Sequence, residues 1–137
     1  MKQGNKELIA KAKRYIAQAN ALNPEVIHEL FADNAVYVDS SGLSGQPQDI
    51  VRRSNIYEGH KNFYLALKKG HWDIREEDYV ETKENVIEFF LNATLSFKES
   101  NEMQTFKGVE RIVFNDEGKF IHVSGAGFFS QERSRLV

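Results

Sequence analysis

Leu8, Ile9, Ala12, Tyr15, Ile16, Ala19 and Leu22 recur at spacings of three and four, which predicts a helix over residues 6–22. Asn23-Pro24-Glu25 is a helix-start signal, a side-chain cap followed by proline at the first helical position. The short second helix that follows would bury Val26, Ile27, Leu30 and Phe31, break at residues 31–34, and lead into a strand over 35–39. Residues 40–49, SSGLSGQPQD, are loop by composition, and 50–58 are ambiguous, with an extended reading favoured. Gly59 is expected to open a third helix that ends at Gly70 as its C-cap.

From His71 the period changes to two. Residues 71–82 read as a polar edge strand. Residues 85–97 place Ile87, Phe89, Leu91, Ala93, Leu95 and Phe97 on one wholly apolar face. Residues 103–114 form the next strand, NDEG a hairpin turn, and 119–129 the last strand. Helices first and antiparallel strands afterwards predict a single α+β domain over 1–137, with the helices covering one face of the sheet. Gly108, Gly125 and Gly127 share the inner faces with bulky residues. They predict curvature, open space, or both.

That inner face carries an anomaly. Alternation in GVERIVF puts Glu110 in line with Phe106, Ile112 and Phe114, and a carboxylate among such neighbours is expensive unless something receives it. Glu88 and Arg111 fall on the outer face as a cross-strand pair, so Arg111 is not the receiver. Two readings stay open. Either a buried cation or a register slip relieves Glu110, or it is neutral and donates a hydrogen bond into a cavity.

Composition narrows the field. The chain has 137 residues, 41% of them hydrophobic and 28% charged, and its 16 aromatics suit a β-rich core or a lined cavity. A net charge of −2 gives no general attraction to nucleic acid or anionic membrane, so neither is expected as a partner. Without cysteine there are neither disulfides nor thiolate metal sites. The four histidines lack metal-ligand spacing, and no metal or cofactor is expected. His28 reads as exposed, His60 as a helix start, His71 with Trp72 as a strand start that could edge a pocket mouth, and His122 as facing away from the inner wall. No apolar run approaches a membrane span and the N-terminus is no secretory signal, so a cytoplasmic location is the default expectation.

KRYIAQANALNPEVIHELFADNAVYVDSSG, with the later GHKNF and EGKFIHVSGAGF, resembles the NTF2-like superfamily, in particular its SnoaL-like and ketosteroid-isomerase-like members. The resemblance implies a cone of N-terminal helices packed into a strongly curved, mostly antiparallel sheet, usually dimeric. It also implies a pocket for a small, largely apolar molecule. Such folds carry isomerases, dehydratases, cyclases and non-catalytic binding domains alike. Matched to the ketosteroid-isomerase pattern, Tyr15 and Glu110 would be oxyanion donors and Asp39 the base, although Glu stands where that pattern has Asp. Tyr37, Phe63, Phe89, Phe106, Ile112 and Val123 would line the pocket, with Tyr64 a further candidate.

Each residue also has a structural reading: Tyr15 as a core aromatic, Asp39 as a turn residue. Three functions therefore remain: a cofactor-free isomerase or cyclase, a non-catalytic ligand-binding module, and an association domain. The last would form a homodimer through Val86, Phe90, Val109, Val113, Phe120, Ala126 and Phe128 on the outer sheet face.

Overall fold

The structure, a computed structural model, describes residues 3–39, 48–100, 102–129 and 134–135. Helix α1 (Gln3–Asn20) buries Leu8, Ile9, Ala12, Tyr15, Ile16 and Ala19, the stripe its spacing predicts. It ends where Leu22 turns left-handed at φ 55°, and the Asn23 side chain then accepts from Glu25 N–H at 3.1 Å to start a 3₁₀ turn, Pro24–Val26. That turn runs into α2 (Ile27–Leu30).

Strand β1 (Phe31–Asp39) starts four residues earlier than expected, because Phe31 and Ala32 are already buried and extended. Strand β2 (Gln48–Val51) is followed by α3 (Arg53–Leu65), so residues 53–58 are helical, Gly59 lies inside the helix, and Gly70 is in a strand instead of a C-cap. The helix starts early because Ile56, His60 and Tyr64 form a buried stripe at four-residue spacing. Helical hydrogen bonding outweighs the cost of one glycine.

The predicted edge strand divides into β3 (Leu67–Asp73), a 3₁₀ turn (Glu76–Asp78) and β4 (Val80–Lys83). Then come β5 (Val86–Phe97), β6 (Glu102–Phe114), β7 (Phe120–Phe129) and β8 (Ser134–Arg135). The hairpin between β6 and β7 is closed by Asn115, whose side chain accepts from Glu117 and Lys119 N–H, with Gly118 at φ 74°. Lys11 Nζ donates to Gly118 O at 2.7 Å and Lys119 Nζ to Glu29 O at 2.6 Å, tying this hairpin to the helices.

The sheet runs β2-β1-β7-β6-β5-β3, with β4 also on β5 and β8 also on β6. It is curved, open and mixed, since β1 lies parallel to β7 while the other pairs are antiparallel. Its concave face and the helices enclose one core around Phe31, Phe89 and Phe120. On the convex side Arg111 Nε lies 3.3 Å from Glu88. One residue assigned to that face belongs elsewhere: a register shift after Val113 turns Phe120 into the core at 0% exposure. Val86 keeps its place opposite Val113 but is buried at 2%. Phe90 is on that face at 66% exposure, while the side chains of Ala126 and Phe128 lie outside the described residues. The loop segment 40–47 lies outside them too.

Candidate active site

A cavity of ≈ 100 Å³ lies between the concave face and helices α1 and α3. One water needs on the order of 10–15 Å³, so there is room for several waters or a small organic group. Tyr15, Tyr37, Asp39, Phe63, Tyr64, Phe106 and Glu110 all line it.

Glu110 stands opposite Phe89 on one side and Gly125 on the other. The glycine is what admits it. A Cβ at position 125 would lie 3.0 Å from Glu110 Oε2 and 3.5 Å from Val109 O. The carboxyl group thus occupies space that any other residue at 125 would fill. Burial pushes its pKa up to about 8, which leaves it neutral and a hydrogen-bond donor at pH 7. Gly125→Ala is expected to displace the carboxyl and to cost about 1–3 kcal/mol, read as a fall in Tm. An unchanged Tm with unchanged ligand affinity would show that the carboxyl has other room.

Asp39 ends β1, is 4% exposed, and faces the same cavity. It is close enough to His60 and Tyr37 to act on the ionisation of both.

Tyr15 projects from α1 into a ring cluster, edge to face with Phe31 and with Phe120 at 5.6 Å each. Its hydroxyl is 2.7 Å from His60 Nε2, and His60 Nδ1 is 2.9 Å from Ile56 O one helical turn back. Burial lowers the His60 pKa to about 4, only partly opposed by the Ile56 hydrogen bond and by Asp39, so the imidazole is neutral at pH 7. Burial also raises Tyr15, Tyr37 and Tyr64 well above the ordinary phenol, with Glu110 adding in the same direction. All three phenols are protonated.

Three pocket expectations are corrected. Phe89, Ile112 and Val123 do not line the cavity. They are 1%, 0% and 0% exposed, in the closed core that Ile9 and Ala12 of α1 also enter. Ile112 and Val123 lie in one row across the sheet with Ile87 and Tyr37, and Phe89, in the row of Glu110 and Gly125, packs against the Tyr79 ring at 4.9 Å.

The sequence reading missed His60 as a cavity residue, while Trp72, expected with His71 at the edge of a pocket mouth, lines the cavity. The Ile56, His60, Tyr64 spacing was the available signal for the first. Trp72 is fixed by tertiary contacts. Its ring folds over Gly70, where a Cβ would lie 2.6 Å from it. Its backbone pairs with the Asn20 side chain, at 2.6 Å for N–H to Oδ1 and 3.0 Å for O to Nδ2. Among the described residues no group of three His, Asp or Glu side chains could hold a metal ion, and no helix is long and apolar enough to cross a membrane.

No protein-family model and no curated protein matches the sequence. Solved structures do match. SalBIII, an epoxide hydrolase/cyclase-like enzyme of pyran ring formation in the polyether salinomycin, aligns at TM-score 0.70 and 17% identity over 98% of this chain and 97% of its own. RV0760c from Mycobacterium tuberculosis aligns at 0.75 and 15%, over 95% and 99%. A protein with a ketosteroid isomerase-like fold from Catenulispora acidiphila aligns at 0.71 and 13%, over 85% and 83%. Identities this low speak for architecture alone, and the architecture agrees over nearly the whole length. The chain has the NTF2-like, ketosteroid-isomerase-like cone fold.

Proposed function

We propose that the cavity binds a small, largely apolar carbonyl compound and moves a proton between two of its carbons without a cofactor. One observation carries this reading: two carboxyl groups with different surroundings line a single aromatic cavity. Glu110 is held neutral by burial and can donate to a carbonyl oxygen. Asp39 takes the proton from the carbon beside that carbonyl and returns it to the same or a conjugated carbon. The C–H electron pair becomes the enolate, whose oxygen is held by the Glu110 proton. Protonation at carbon restores the ketone, so no oxidant or other reactant is needed.

Ligand binding by proteins of this shape adds support. RV0760c has been solved with estradiol-17beta-hemisuccinate, and a computationally designed 17-OHP binder aligns at TM-score 0.70 and 16% identity. The test is deuterium exchange. 2-Tetralone in D₂O, followed by NMR, should lose the protons beside its carbonyl faster with the protein than in buffer. Bound ketone with exchange no faster than in buffer would overturn the chemistry. Homodimerisation through the convex face belongs to the same proposal, with Phe90 its most exposed large apolar residue among the described residues. Light scattering should give twice the chain mass, and Phe90→Glu should return it to one.

A further inference from the structure

The hydrogen bond between Tyr15 and His60 has a direction. Ile56 O is a carbonyl oxygen and can only accept, so His60 Nδ1, 2.9 Å away, carries a proton. The ring is neutral and has a single N–H. Nε2 is therefore a lone pair, and at 2.7 Å it is Tyr15 that donates to it. A phenol has one proton, and this one points at helix α3. What Tyr15 offers to the cavity is an oxygen lone pair.

The ring is in no position to turn away. It is wedged edge-on between Phe31 and Phe120, both 0% exposed. The neighbouring polar groups are Tyr37 and Asp39 from β1, Tyr64 from α3 and Glu110 from β6. The Tyr37 hydroxyl lies beside that of Tyr15. The cavity thus presents a donor at Glu110 and an acceptor at Tyr15. This departs from the expectation that both would donate to one oxygen.

We propose that His60 is a positioning residue that fixes Tyr15 as a hydrogen-bond acceptor, so that the site selects carbonyl compounds carrying a hydroxyl group as well. This rests on the carbonyl reading of the cavity given above. A ligand hydroxyl donates to the Tyr15 oxygen while the carbonyl meets Glu110. A ligand lacking that proton leaves a buried acceptor without its partner, which costs about 1–3 kcal/mol.

Two measurements, neither needing turnover, test this. Long-range ¹H–¹⁵N correlation spectra of the uniformly ¹⁵N-labelled protein at pH 7 should show His60 protonated at Nδ1 and bare at Nε2. A proton at Nε2, or at both nitrogens, overturns the proposal and leaves the proton-transfer reading intact. Calorimetry should compare 5-, 6- and 7-hydroxy-2-tetralone, each with its own methyl ether. At least one hydroxy ketone should bind about tenfold more tightly than its ether, equivalent to about 1.4 kcal/mol. Equal affinities across all three pairs overturn it. Tyr15→Phe keeps the ring and removes the oxygen, so the preference should vanish, and a preference that survives is also fatal. His60→Phe frees the Tyr15 proton and should abolish the preference too. If that variant fails to fold by circular dichroism, the Tyr15→Phe comparison decides. Absence of deuterium exchange in the native protein would remove the chemistry while leaving these binding and tautomer results to stand or fall separately.

Discussion

Asp39→Asn should slow protein-catalysed deuterium exchange at the carbon beside the carbonyl by about 10²–10⁴-fold, the usual worth of a positioned general base. Asparagine has nearly the same shape, so the fold and the ketone affinity should change little. Trp72 supplies the control: it is the chain's single tryptophan and lines the cavity, so its fluorescence reports occupancy in native and variant protein alike. Lost exchange with retained binding assigns the base. Asp39 is buried at 4% exposure, so a purely structural role would show instead as a lowered Tm and weakened binding together. Unchanged exchange would remove Asp39 from the chemistry.

Glu110→Gln should stabilise the protein most at alkaline pH and flatten its stability profile. Burial raises the folded-state pKa of Glu110 from 4.5 to about 8. Below about 4.5 both folded and unfolded chains carry the proton. Between 4.5 and 8 the unfolded chain releases it while the folded chain holds it, so stability falls as pH rises and levels off above 8. At about 1.4 kcal/mol per pH unit, this slope amounts to a few kcal/mol. Glutamine has no such proton to lose, and chemical denaturation of both proteins at pH 5, 7 and 9 should show their difference widening with pH.

His60 acts in the opposite sense. Its lowered pKa of about 4 gives stability that is present above pH 6.5 and lost as pH falls through 4, in both proteins. Activity should follow the same proton. Native exchange should decline above pH 8 as Glu110 ionises, whereas the glutamine variant keeps an N–H donor and should lose that decline. An identical alkaline limb in both would show that another group titrates there.

The sequence by itself determined the helix stripe from Leu8 to Ala19, the two-residue period of β5 and β6, and the side on which Glu110 falls. These are local: residue spacing sets which side chains share a face, whatever the rest of the chain does. It also supplied the three acids and phenols that share the cavity, because Tyr15 and Glu110 lie on such periodic elements and Asp39 closes a strand. Tertiary structure decided what the periods do not encode. Whether a concave-face residue meets space or core depends on what packs over it: Tyr79 covers Phe89, while Phe106 lines the cavity. Helix α3 begins before Gly59 because Ile56 enters the core while His60 and Tyr64 wall the cavity, a gain no local propensity contains. The direction of the Tyr15 hydrogen bond is the most remote from sequence. It needs the imidazole of α3, the carbonyl one turn behind it and the phenol of α1 brought together across 45 residues.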